Sequence, residues 1–66
     1  MDSQTDQRSK ELFDLGMKYN GSEFFMDVGT KGYAECHWTE MTCDTDEEWA
    51  KRIQDIKNYI EKMKDS

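Results

Sequence analysis

Two hydrophobic periods run through this chain, one of two residues and one between three and four. In Glu23 to Val28 the apolar residues Phe24, Met26 and Val28 take every second position. In Tyr33 to Trp38 the residues Ala34, Cys36 and Trp38 do the same. Alternation of this kind marks half-buried strands. Gly29-Thr30-Lys31-Gly32 stands between them and predicts a hairpin. A two-residue turn at Thr30-Lys31 sets Val28 opposite Tyr33 and mixes the faces, because a one-residue slip sends every side chain to the other side. A three-residue loop of Thr30, Lys31 and Gly32 sets Val28 opposite Ala34, Met26 opposite Cys36 and Phe24 opposite Trp38. That loop calls for a left-handed residue at Gly32, as in a G1 bulge.

The longer period predicts two helices. From Thr5 to Lys18, Leu12, Leu15 and Tyr19 follow i, i+3, i+7 spacing, with Phe13 and Met17 as an i, i+4 pair. Ser3 or Thr5 suits the cap and Asn20-Gly21 the stop. Gly16 inside this pattern costs ~1 kcal/mol against Ala and suits close approach to the sheet. From Asp44 to Lys64, Trp49, Ile53, Ile56, Ile60 and Met63 are spaced 4, 3, 4, 3 in a narrow stripe. Thr45 and Glu48 have capping-box spacing, Asp46, Glu47 and Glu48 crowd the first turn, and Lys62 and Lys64 close the last. Thr39 to Cys43 reads as a connection that prolongs the second strand. Met41 falls on the face opposite Trp38, so that strand ends or bulges before it.

The expected architecture is α-β-β-α, of the α+β class: one small domain with a two-stranded antiparallel hairpin. Both helices would pack on the face carrying Phe24, Met26, Val28, Ala34, Cys36 and Trp38. Residues 1–8 and 65–66 read as frayed.

Composition narrows the function classes. A chain of 66 residues holds one domain, and a domain of about this size buries only ~60% of the surface its unfolded chain exposes. Such scaffolds usually add disulfides, a metal or a partner. The net charge of −6 argues against nucleic acid and against an anionic membrane surface, both of which need clustered Lys and Arg. It favours a basic partner, or solubility alone. No apolar run reaches the ~20 residues that span a bilayer. The N-terminus shows no basic region followed by an apolar stretch, so no signal peptide is expected. Two cysteines suit a reducing, cytoplasmic setting.

The candidate chemistry lies on the outer face of the hairpin. That face carries Glu23, Phe25 and Asp27 on the first strand and Tyr33, Glu35 and His37 on the second. The expected register sets Phe25 against His37 and Asp27 against Glu35. Like charges directly opposite destabilise by up to ~1 kcal/mol. A chain that keeps such a pair has three uses for it: a cationic partner side chain, a divalent metal, or a proton shared between carboxylates. The ordinary alternative is two carboxylates splayed into water beside Lys31.

Cys36, His37, Cys43 and Asp44 raise the question of zinc, but adjacent strand residues point to opposite faces, so Cys36 and His37 do not share an ion. The same geometry argues against a Cys36–His37 nucleophile pair, and Cys43 with His37 lacks an orienting third group. Cys36 reads as a small core residue. A Cys36–Cys43 disulfide needs both sulfurs on one side and an oxidising compartment. Gly29-x-x-Gly32 belongs to the turn rather than to a phosphate loop. No catalytic residue, metal or cofactor is expected, and the chain is read as a non-enzyme.

The stripe of Trp49, Ile53, Ile56, Ile60 and Met63 suits either a core or a homodimer seam. Residues 49 to 63 of a helix rise ~21 Å against ~20 Å for a six-residue strand. Ile60 and Met63, beside Tyr59, therefore overhang unless the axes align, and such an overhang marks a partner surface.

The leading expectation is a stoichiometric binding protein for a larger protein with a basic patch. Its contact face would be Glu23, Phe25, Asp27, Tyr33, Glu35 and His37, where charge sets the encounter and aromatic anchors supply affinity. In size and charge the chain is similar to phage-encoded inhibitors, including anti-CRISPR and other anti-defence proteins. That likeness implies occupation of a basic channel in a nucleic-acid-handling protein. The second expectation is a homodimeric assembly subunit, and the third a small metal- or thiol-dependent catalyst.

Overall fold

A computed structural model of the chain describes residues 3–64. The order is helix α1 (Ser3–Asp14), strand β1 (Lys18–Tyr19), strands β2 (Glu23–Val28) and β3 (Gly32–His37), a short helix α2 (Trp38–Cys43) and a long helix α3 (Asp46–Met63). The strands form one antiparallel sheet in the order β1-β2-β3. The fold is α+β. To the expected α-β-β-α order it adds one two-residue strand and one six-residue helix.

The additional strand exists because α1 stops early. Gly16 adopts φ 102°. Its N–H donates to Phe13 O at 2.9 Å, and Met17 N–H donates to Leu12 O at 3.2 Å. This is a Schellman termination, with Leu12 and Met17 both buried behind it. Gly16 is therefore the helix stop and not an interior glycine. Asn20-Gly21, read as that stop, instead turns β1 into β2. Asn20 Oδ1 accepts from Ser22 N and Glu23 N, each at 3.0 Å, and Gly21 also has φ 102°.

The hairpin register differs from expectation by two residues. Val28 pairs with Gly32, Met26 with Ala34, Phe24 with Cys36 and Glu23 with His37. The loop is Gly29-Thr30-Lys31, and the left-handed residue is Gly29, at φ 62°, not Gly32. A slide of two residues preserves side-chain parity, so each strand keeps its predicted inner and outer faces. Gly32 is needed for space. A Cβ built on it would stand 2.6 Å from Val28 O and 2.8 Å from Met63 Cβ.

Trp38 is not on the inner strand face. Its N–H still bonds Ser22 O at 3.3 Å, and there the chain turns into α2, leaving the indole 42% exposed. The turn accounts for Met41, whose position was out of phase for a strand. At helical spacing it points inward and is fully buried.

The helices cover one side of the sheet. Leu12, Met17, Phe24, Ala34, Cys36, Met41, Trp49 and Ile53 form the core, with Leu15, Met26, Ile56 and Tyr59 packed at its margin. Each buried leucine- or phenylalanine-sized side chain contributes about 1.5–3 kcal/mol. The stripe on α3 thus serves this core through Trp49 and Ile53, while Ile56, Ile60 and Met63 remain half-buried. Polar contacts join the helices. Trp49 Nε1 donates to Glu11 Oε2 at 2.6 Å. Arg52 holds Asp44 at 2.7 Å and Glu40 at 3.0 Å. Thr45 and Glu48 complete the expected capping box.

Of the ends read as frayed, residues 1, 2, 65 and 66 lie outside the described residues. The remainder of the N-terminal segment is helical, and Arg8 within it is 2% exposed. No described helix is long and apolar enough to cross a membrane.

Candidate functional site

The alternating strands carry all six predicted contact residues to the side of the sheet away from the helices. Glu23, Phe25 and Asp27 leave β2, and Tyr33, Glu35 and His37 leave β3. The observed register pairs Glu23 with His37, Phe25 with Glu35 and Asp27 with Tyr33. The predicted Phe25–His37 and Asp27–Glu35 pairs do not form, so no two carboxylates stand directly opposite. The two-residue slide replaces a like-charge confrontation with the Glu23–His37 crossing.

His37, the last residue of β3, gathers two carboxylates at one end of this face. Its Nδ1 lies 3.3 Å from Glu23 Oε2 and its Nε2 lies 3.6 Å from Glu35 Oε1. The imidazole is half-exposed and Glu23 is the more sheltered carboxylate. At the other end Tyr33 is 49% exposed. Desolvation, followed by the negative potential of Glu23, Glu35 and Asp27, pushes its hydroxyl above the ordinary range. Phe25 is half-buried between Lys18 on β1 and Glu35 on β3. Lys18 is a cation that the helical reading of that segment had kept off the sheet.

Tyr33 and Glu35 also border an open groove of about 510 Å³ between β3 and α3, whose far wall includes Lys51, Asp55, Ile56 and Tyr59. Tyr59 Oη accepts from the main-chain N–H of Tyr33 at 3.0 Å, which closes one position of the β3 edge. The face and the groove are continuous through these two residues.

The thiols sit elsewhere. Cys36 is fully buried and Cys43 exposed, both free. Burial first, then Glu40, pushes the Cys36 thiol up to about 12, with Arg52 opposing. It stays protonated at neutral pH and points away from His37, an arrangement unsuited to a nucleophile pair.

An exposed aromatic group was missed. Phe13, Tyr19 and Trp38 are each more than two-fifths exposed. Phe13 stands edge-on to Phe24 at 5.1 Å, Tyr19 lies 4.7 Å from Phe24, and Trp38 lies 6.2 Å from Tyr19. The signal for Tyr19 was the Asn20-Gly21 pair, which serves a turn between strands as well as a helix stop.

No known protein family matches the chain, and neither a curated protein nor a solved structure is similar to it.

Proposed function

We propose that this chain is a non-enzymatic binding protein that acts stoichiometrically, setting the outer face of its sheet against a basic patch on a larger protein. The observation that carries this reading is the segregation of the sheet. Helices cover one side, while Glu23, Asp27 and Glu35 project from the other among Phe25, Tyr33 and His37. Carboxylates steer a cationic partner into place, and Tyr33 and Phe25 supply apolar area. A face about 20 Å long and 10 Å wide, by strand rise and spacing, is smaller than the ~800 Å² per partner of a standard interface. Tyr33 and Glu35 carry the contact on into the groove beside α3. A basic surface of this kind belongs to a nucleic-acid-handling protein in the cytoplasm, and its occupation makes the chain an inhibitor in the manner of phage-encoded anti-defence or anti-CRISPR proteins. The net charge of −6 supports that extension.

The test is capture of partners from cell extract by the wild type and by a Asp27→Lys/Glu35→Lys double variant, with folding followed by circular dichroism. A partner held by the wild type, released by salt and lost by the folded variant supports the face. The same partner should lose nucleic-acid binding at one equivalent of the chain. Undiminished capture by the folded variant refutes the reading.

A second reading, a homodimeric assembly subunit, draws on the half-buried Ile56, Ile60 and Met63 at the far end of α3. Trp49 and Ile53 are enclosed within the chain's own core, so the seam would rest on those three. Sedimentation over a range of concentrations separates the readings.

A further inference from the structure

We propose that Glu23, Glu35 and His37 form a surface site for one divalent transition cation of the zinc class. Strand geometry builds the donor set from two directions. Glu35 and His37 are two residues apart on β3, so both side chains leave one face of one strand. The ladder places Glu23 directly across from His37. One ligand atom from each of the three lies within 4.8 Å of the others.

The donors are gathered to within a side-chain rotation of an ion's geometry. Donors on a tetrahedral ion with bonds of about 2.0–2.2 Å stand roughly 3.3–3.6 Å apart. The present contacts, 3.3 Å from Nδ1 to Glu23 and 3.6 Å from Nε2 to Glu35, use different ring nitrogens; they bring both carboxylates to the ring, and the donor atoms of the three residues gather within 4.8 Å. A ring ligates an ion through one nitrogen, so one glutamate turns about its own side-chain bonds to reach that nitrogen's side. Water completes the coordination. All three residues are held in the sheet, which fixes their Cα positions relative to one another.

The donor chemistry selects the ion. One imidazole nitrogen and two carboxylate oxygens suit zinc and its first-row neighbours, whereas calcium and magnesium take all-oxygen shells. With a neutral ring the set carries two negative charges, which a divalent cation cancels. The site rests on geometry alone and stands whether or not the face docks a protein. It is also distinct from the Cys36, His37, Cys43 and Asp44 set, in which Cys36 points to the opposite side of the sheet.

Calorimetry with zinc chloride on chelator-stripped protein tests the site, in the wild type and in Cys43→Ser, which removes the exposed thiol. Both should take up one equivalent. His37→Ala and Glu35→Gln should each weaken binding about tenfold or more. Glu47→Gln, an exposed carboxylate on α3, should change it less than about twofold. Calcium should bind at least about tenfold more weakly than zinc. The chain has a single histidine, so its ring resonances in NMR report ligation directly and should shift on addition of zinc. The proposal is overturned by any of four results: no saturable uptake, equal affinity for calcium, binding unchanged in a folded His37→Ala variant, or binding that disappears with Cys43→Ser.

Discussion

Arg8 donates from Nη1 to the main-chain oxygen of Met41 at 3.0 Å, across 33 positions of sequence. The same nitrogen reaches Asp44 O at 2.8 Å, Nη2 reaches Asp46 Oδ1 at 3.1 Å, and the guanidinium lies 5.0 Å from the Trp49 ring centre. One side chain on α1 thus satisfies the carbonyls where α2 hands over to α3. Removing it orphans acceptors in a part-buried junction. Arg8→Ala should cost about 1.5–3 kcal/mol in urea unfolding, the range for hydrogen bonds to a charged group. Asp46→Ala should cost less than about 1 kcal/mol, because that carboxylate is 90% exposed. Comparable losses for the two variants would mean that the ion pair, not the carbonyl contacts, carries the effect.

Gly29 and Gly32 are glycines for different reasons, and substitution separates them. Gly29 has a left-handed backbone, which costs an L-residue about 1–2 kcal/mol and asparagine less. Gly32 has an ordinary backbone, but its neighbours Val28 O and Met63 leave no room for a side chain. Gly32→Ala should cost about 1–3 kcal/mol by overpacking. Gly29→Asn should be milder than Gly29→Ala, while Gly32→Asn should be no milder than Gly32→Ala. Thermal unfolding of the four variants gives the order directly.

These two glycines also show what was legible in the sequence. The loop offers a glycine at either end, and both choices keep Phe24, Ala34 and Cys36 on one face, so burial was readable from parity alone. The register was not, because a left-handed glycine at either end closes a three-residue loop, and the contact of Met63 with Gly32, 31 positions away, is invisible to a local pattern. Parity likewise puts Glu23, Phe25, Asp27, Tyr33, Glu35 and His37 on one strand face, yet the position of His37 between Glu23 and Glu35 needed the register. β1 was lost because Leu12, Leu15 and Tyr19 continue a helical period straight through Gly16. The local Schellman hydrogen bonds end the helix there and the period does not register them. Trp38 and Met41 were out of step as strand residues, a correct sign of a break that did not say the next element was a helix.

The capping box on α3 has a pH signature. Thr45 Oγ1 accepts from Glu48 N at 3.2 Å, and Thr45 N donates to Glu48 Oε1 at 2.9 Å. The hydrogen bonds from Thr45, backbone first, hold the Glu48 carboxyl below its ordinary value of 4.5, with Arg52 assisting. A carboxyl with a lowered native value binds its proton more readily in the unfolded chain. Its stabilisation is therefore complete above about pH 4.5 and drains as the pH falls through the native value. Glu48→Gln keeps an acceptor but removes the charge. It should lose stability less steeply than wild type between pH 5 and pH 3. Thr45→Ala should cost about 1 kcal/mol at pH 7. Denaturant titrations at several pH values measure both.

The two thiols should behave as different groups. Cys43 is exposed, so a disulfide reagent at pH 8 should modify it at once in the folded chain. Cys36 is fully buried and its thiol is pushed up to about 12, so it should react only on unfolding, giving one fast equivalent in buffer and two in denaturant. The sign for stability is opposite to that of Glu48. Above pH 9 the unfolded thiol ionises while the native one keeps its proton, so alkali favours the unfolded chain until about pH 12. Cys36→Ala removes this dependence at the expense of a small core void. Its stability should fall less steeply than that of the wild type between pH 9 and pH 11. Parallel curves for the two proteins, or two fast thiols in the folded chain, would show that Cys36 is open to solvent and that α2 does not close over the sheet.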